Sequence, residues 1–155
     1  MRIWIDADAA PREVKDVVFR AARRLQVETV LVANHTHAIP ARMPTVTAVT
    51  VPGTANAADR FIQENASAGD LVVTADVPLA AALVKQGVHV VDPRGEEYHA
   101  DNVAAKLSMR DFMDGLRGAG QVIGRAAPYN NQDKKLFAAT FDRLVTKLAS
   151  GSERG

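Results

Sequence analysis

Residues 3–18 read IWIDADAAPREVKDVV, and the order of residue types in that stretch decides the fold. Ile3–Ile5 is a short apolar run of the kind that forms a buried strand. Two carboxylates follow at once, Asp6 and Asp8. Pro11 then suits the first turn of a helix, where a missing N–H costs nothing. From there Val14, Val17, Val18, Ala21, Ala22 and Leu25 keep the i, i+3, i+4, i+7 spacing of one helical face. Strand, acidic loop and helix in succession are the opening half of a βαβ unit. The same order returns at residues 71–83, LVVTADVPLAAAL, where Leu71–Thr74 reads as a strand and Asp76 leads into a helix through Leu79, Ala82 and Leu83, closed by Gly87.

Between and beyond these two units the pattern continues. Thr29–Ala33 is a β-branched run ending at Asn34, and Val46–Val51 alternates as an edge or half-exposed strand does. Asn56 is placed to cap a helix carrying Ala58, Phe61, Ile62 and Ala66, with Asp59 in its first turns. Val88–Val91 is a fifth strand, stopped by the Asp92–Gly95 turn. The remainder reads as helical. Asp101 is set to cap Asn102–Leu107, Ser108 with Asp111 resembles a capping pair for a further helix, and Gly118–Asn130 is a Gly/Ala-rich loop. A last amphipathic helix carries Phe137, Phe141, Leu144, Val145 and Leu148, and residues 150–155 make a flexible tail. The expectation is an α/β fold, a single-domain three-layer α/β/α unit over residues 1–149. Its sheet is mainly parallel and about five-stranded, with C-terminal helices.

Composition narrows the chemistry. The chain of 155 residues is long enough for one core, which must be mainly aliphatic because aromatic residues are only 5%. A net charge of +1 gives no global attraction to nucleic acid or membrane, so a polyanion needs a local patch. Without cysteine there is no disulfide, no zinc–thiolate site and no thiol nucleophile. The N-terminus carries no long apolar run after basic residues, and a cytoplasmic location is expected.

Four aspartates stand where strands or helices meet loops: Asp6, Asp8, Asp59 and Asp76. The carboxyl ends of parallel strands are where ligands bind. Carboxylates gathered there repel one another unless a cation lies among them, which points to Mg²⁺ or Mn²⁺ and to phosphate-ester chemistry. Asp6 and Asp8 are two residues apart and on an extended chain face one side. Helix capping accounts for Asp8 or Asp76 singly, but not easily for the whole set. His35 and His37 lie in a loop flanked by prolines and read as solvated. Gly118, Gly120 and Gly124 lack the spacing and the preceding strand of a dinucleotide-binding turn. No serine has a partnering histidine and acid in view. Arg20, Arg23 and Arg24 are a solvated helix face. Arg94, Arg110 and Arg117 are better placed to grip phosphate.

The segments DADAAP, VANH, ADRFI, GDLVVTADVPLA, DPRGEEY and SMRDFMDGLR together resemble the YaiI/YqxD family of bacterial proteins, across roughly Arg2 to Leu148. That family resembles a branch of the PIN-like superfamily of metal-dependent nucleases. The resemblance implies Asp6 and Asp76 as strand-end catalytic acids, Asp59 as the helix-borne acid, and Asp8 as an additional one. It also matches Asn34 to a polar position and Arg94 and Arg110 to basic positions that contact substrate. In one place the chain departs from the family's pattern. Ala10 stands where the first motif usually has cysteine, so a thiol-dependent mechanism is excluded while a carboxylate–metal one is untouched.

Three functions follow as expectations. The leading one is a Mg²⁺- or Mn²⁺-dependent phosphodiesterase acting on RNA or single-stranded nucleic acid. A second is a haloacid-dehalogenase-like phosphatase, with Asp6 as nucleophile, Asp8 as acid/base and Thr74 at the second strand end, although Ala10 departs from its first motif. The third is a non-catalytic domain binding RNA or protein. A homodimer through the third strand or the C-terminal helix is compatible with each.

Overall fold

The computed structural model describes residues 1–121 and 127–154. Among these residues six strands and five helices follow one another as β1 (Ile3–Asp6), α1 (Arg12–Leu25), β2 (Thr29–Ala33), β3 (Val46–Thr50), α2 (Ala57–Asn65), β4 (Leu71–Val73), α3 (Val77–Lys85), β5 (His89–Val91), β6 (Glu97–Tyr98), α4 (Ala100–Gly118) and α5 (Asn131–Arg154). One sheet contains all six strands in the order β3-β2-β1-β4-β5-β6. Strands β1 to β5 pair in parallel, with Ile3 opposite both Thr29 and Leu71. Only β6 runs antiparallel, placing Val91 opposite Glu97.

The sheet is covered on both faces, and the alternation of its strands says how. Ile3, Ile5, Leu31, Leu71 and Val73 point to one side, against Val14 and Val18 of α1 and Phe137, Phe141 and Leu144 of α5. Trp4, Val30, Val32, Val72 and Val90 point to the other, against Ile62 of α2, Leu79 and Leu83 of α3, and Val103 of α4. This is the three-layer α/β/α arrangement expected from the sequence. Parallel strands buried on both faces need unbroken apolar runs, and β1, β2 and β4 have them. β3 is one edge strand of the sheet, with Thr47, Ala48 and Thr50 exposed.

One polar group is built into the core. Asp70, 5% exposed, accepts hydrogen bonds from the Arg2 amide (2.9 Å), the Trp4 indole N–H (3.0 Å) and the Ser67 amide (2.9 Å). Its carboxylate ties the start of β1 to the turn before β4, which fixes the register of the two central strands.

Several local expectations need correction. The sixth strand is added to the five expected. Where two helices were expected to meet at Ser108, α4 runs unbroken from Ala100 to Gly118. Its start is at His99 rather than Asp101, with Asn102 Oδ1 accepting the His99 amide N–H at 2.9 Å. Asn56 does occupy the residue before α2, but in a left-handed conformation (φ 65°) and with no capping bond from its side chain. α5 reaches Arg154, so helix continues through most of the stretch expected as a tail. Gly124 of the Gly/Ala-rich stretch and Gly155 lie outside the described residues. Among the described residues, no helix is long and apolar enough to cross a membrane.

Candidate functional site

Strand order reverses at the centre of the sheet. From β1 the chain builds outward to β2 and β3, then crosses back to add β4 on the other side of β1. The crevice between the carboxyl ends of β1 and β4 is the topological switch point, where open α/β sheets bind ligands. Asp6 is the last residue of β1, and Asp76 lies just beyond β4. Their strands are hydrogen-bonded neighbours, so the two carboxylates are delivered to one place. α2 brings Asp59 beside them from the helical layer.

The electrostatics show that these three acids feel one another. Burial raises the Asp6 carboxyl above its ordinary value; the charges of Asp76 and Asp8 add to this, and the Thr74 hydroxyl opposes it. Asp59 is pushed up to about 6, first by burial and then by Asp76 and Asp6. Asp76 also serves as N-cap of α3, its Oδ1 accepting the Leu79 amide at 2.8 Å, while its own amide donates to Thr74 Oγ1 at 3.1 Å. The cap fixes where that carboxylate points and leaves its second oxygen uncommitted to the helix. Among the described residues, no three His, Asp or Glu side chains are drawn together tightly enough to coordinate an ion as they stand. The donors Asp6, Asp59 and Asp76 offer are all hard carboxylate oxygens of the kind that Mg²⁺ and Mn²⁺ accept.

Asp8 is engaged elsewhere. Its Oδ1 receives His35 Nδ1 and His37 Nε2, each at 2.9 Å, and its Oδ2 receives the Asn34 amide N–H at 2.6 Å. Burial pushes this carboxyl up, but the His37, Asn34 and His35 hydrogen bonds outweigh it and hold the group down at about 2. Lys15 Nζ lies 3.2 Å from His37 Nδ1, so Nδ1 accepts from the ammonium and Nε2–H donates to Asp8. The histidine loop, expected to be solvated, therefore folds back on the first acidic motif. The side chain of His37 is only 19% exposed, although that of His35 is 74% exposed.

Two clefts open onto the acids. One, of about 400 Å³, is lined by Asp59, Asp76, Arg60, Gln63 and Arg110. The other, of about 290 Å³, is lined by Asp8, Asn34, Gly53, Thr54 and Asp59. Asn56 and Asp59 border both, so the two clefts adjoin along the carboxyl edge of the sheet and are together called the groove. Asn34 stands at one end of it and Arg110 at the other. Arg110 is steadied by Asp111 (3.2 Å) and Asp114 (3.3 Å) of its own helix. Arg60 and Gln63 were not singled out from the sequence. Their signal was present, because Asn56, Asp59, Arg60 and Gln63 keep i, i+3, i+4, i+7 spacing and share a helix face.

Arg94, expected among the phosphate contacts, has another task. Its guanidinium pairs with Asp133 at 2.9 Å, donates to the Ala127 carbonyl and lies over the Tyr129 ring at 5.9 Å. It fastens the start of α5 to the turn after β5. Asp92 is the turn-former it was expected to be, its Oδ1 accepting the Arg94 and Glu96 amides at 2.9 Å. Arg117 pairs with Asp114 at 3.1 Å and does not line the groove.

Comparison with known proteins supplies the context. A UPF0178 protein from Myxococcus xanthus is 48% identical over 148 residues, covering 96% of each chain. Its namesakes in Syntrophotalea carbinolica and Citrifermentans bemidjiense are 46% and 49% identical, over 95% and 96% of this chain and 99% and 96% of their own. Comparison with solved structures found no match. The family model described as "Uncharacterized BCR, YaiI/YqxD family" matches residues 4–147, which include every residue of the groove, and the chain belongs to that family.

Proposed function

We propose that this protein is a PIN-like, divalent-metal-dependent phosphodiesterase that cuts RNA or single-stranded nucleic acid. One observation carries the reading. At the switch point of a parallel sheet the charge of Asp76, at the β4–α3 junction, raises the carboxyls of Asp6 on β1 and Asp59 on α2, and Asp59 and Asp76 line an open groove. A fold does not leave such acids together without cost, since each raises the free energy of its neighbours' ionised forms.

Asp6, Asp59 and Asp76 would hold Mg²⁺ or Mn²⁺. When bound, such an ion supplies Lewis-acid polarisation of the phosphate ester and neutralises charge on the leaving oxygen. The remaining work falls to the chain. Arg110 and Arg60 give the groove its cationic wall against phosphate, and Asn34 offers an amide at the far end. Asp8, with both oxygens occupied by protein donors, positions the Asn34–His37 loop rather than holding the ion.

The dehalogenase-like phosphatase reading requires Asp8 to deliver a proton to the leaving group. A carboxyl held at about 2 by three donors is ionised at neutral pH and poorly suited to that role. The two readings separate in one experiment. Single-stranded RNA and DNA are incubated with Mn²⁺ or Mg²⁺, with EDTA and with the Asp6→Asn/Asp76→Asn protein as controls. Internal cleavage that needs metal and disappears in the variant is expected. A phosphoaspartate trapped on Asp6, with intact polynucleotide, would transfer the assignment to the phosphatase.

A further inference from the structure

One face of α1 carries positive charge that the acidic site does not use. Arg12, Lys15, Asp16, Phe19, Arg20 and Arg23 fall at i, i+3, i+4, i+7, i+8 and i+11. At roughly 100° per residue they spread over an arc about 140° wide. Val14, Val17, Val18, Ala21 and Ala22, which α1 buries, occupy the opposite side. The charged face meets the loop between β2 and β3 along two clefts. The first, of about 320 Å³, is lined by Arg12, Lys15, Phe19 and His37, and the second, of about 300 Å³, by Phe19, Arg20, Arg23 and Met43. Asp16, Phe19 and Pro40 border both, so the clefts adjoin along the helix. From Arg12 to Arg23, at about 1.5 Å per residue, the track is about 16 Å long.

Charge identifies what lies along the track. Among the described residues that line the two clefts, four are cations and one, Asp16, is an acid, in a chain whose net charge is only +1. Among the described residues none of the four cations enters a salt bridge, whereas Arg2, Arg24, Arg94, Arg110, Arg117 and Arg143 all do. Lys15 reaches His37 Nδ1 at 3.2 Å and Arg23 donates to the Ala41 carbonyl at 3.4 Å, partners that leave both charges uncompensated. A near-neutral chain needs such a patch to hold a polyanion. Three of the four cations are arginines, whose planar fork matches phosphate oxygens, and Phe19, shared by both clefts, offers an apolar surface to a base. The track also leads to the acids. His37 lines its first cleft and donates from Nε2 to Asp8 at 2.9 Å, and Asp8 borders the groove beside Asn34.

We infer that this face of α1 is a second binding surface, a track that holds the phosphates of single-stranded RNA and leads the strand past His37 into the acidic groove. Resting on the nucleic-acid reading of that groove, the track adds a requirement for length, because a strand that occupies both must span several nucleotides. A phosphodiester chain suits the whole path, with cations along its length and metal-binding acids at one bond. An acidic protein segment suits only the first part.

Fluorescence anisotropy tests the track, with a labelled single-stranded RNA roughly twelve nucleotides long and EDTA present so that nothing is cut. The wild type binds, and its log affinity falls against log salt by about 0.7 for each phosphate held, or about 2.8 for four contacts. Arg20→Ala/Arg23→Ala binds roughly tenfold more weakly or worse and loses about 1.4 of that slope. Both arginines are exposed, so its melting temperature matches that of the wild type. Lys85→Ala/Lys147→Ala removes the same charge from two other exposed positions and binds as the wild type does. No binding by the wild type, or an equal loss in the two double variants, overturns the inference. So does poly-glutamate that binds as tightly as RNA at equal salt and is weakened equally in Arg20→Ala/Arg23→Ala, a result that gives the track to an acidic protein segment. RNA that is held through α1 but left uncut in Mn²⁺ would refute the proposed cleavage alone and leave the track in place.

Discussion

Replacing Asp59 with asparagine should make the metal-free protein more stable, which is the reverse of what most substitutions in a cleft do. The carboxyl of Asp59 sits at about 6 rather than at its ordinary 3.8 because burial and the charges of Asp76 and Asp6 oppose its ionisation. At roughly 1.4 kcal/mol per pH unit, that difference sets a ceiling of about 3 kcal/mol on the cost of the charge. Asp59 is partly open to solvent, and screening lowers the effective figure to about 1 kcal/mol. Between 3.8 and about 6 the folded chain holds a proton that the unfolded chain has released, so stability falls as pH rises through that window. The penalty is complete above it and fades below it. Thermal denaturation in EDTA at about pH 7.5 should show Asp59→Asn melting about 2–4 °C higher than wild type, and the gain should shrink steadily towards about pH 4. Added Mn²⁺ should reverse the order, raising the wild type more than the variant. A variant no more stable than wild type at the higher pH, or a gain independent of pH, would show that the acids do not repel and would remove the main support for the site.

Three further outcomes test the frame around the groove. Asp70→Ala strands the Arg2 and Ser67 amides and the Trp4 indole in the core and should lower urea-measured stability by about 3 kcal/mol; a loss under about 1 kcal/mol would mean that water replaces the carboxylate. Gly95 has φ +90°, and a Cβ there would lie 2.5 Å from the Leu136 carbonyl carbon, so Gly95→Ala should cost more than about 3 kcal/mol, read as a large fall in melting temperature. Arg94→Ala should lose about 1–2 kcal/mol of stability while leaving metal-dependent cleavage intact. Lost cleavage in a fully stable Arg94→Ala protein would return that arginine to the substrate.

What could be read in the chain, and what could not, divides along physical lines. β1 and β4 were legible because strands buried on both faces must be apolar throughout, and the acids at their ends stand out against that background. That Asp6 and Asp76 meet depends on their strands being neighbours, which the repeated strand–acid–helix order already suggested. β6 was hidden because two residues, Glu97–Tyr98, cannot display a period. Ser108 and Asp111 looked like the start of a helix because serine and aspartate suit caps. In place, packing of α4 on α3 overrides that weak preference and the helix passes through. The partners of Asp8 were least accessible. Nothing in a proline-flanked His-x-His sequence announces that both rings will reach one carboxylate in the loop after the neighbouring strand. The partner of Arg94 was hidden for a similar reason, since Asp133 is supplied by a helix far along the chain.

The Asp92–Gly95 turn has a consequence for how the protein is made. Gly95 presses against the backbone of α5, its carbonyl accepts from Thr140 Oγ1 at 2.7 Å, and Arg94 grips Asp133. α5 in turn supplies Phe137, Phe141 and Leu144, which complete one face of the sheet. During synthesis the five parallel strands leave the ribosome before the segment that seals them. A half-covered sheet must therefore wait, with Ile3, Ile5 and Leu71 unprotected, until the last quarter of the chain emerges. A ribosome that stalls or stops before Val145 releases a product whose sheet is intact in sequence, uncovered on one face and open to aggregation.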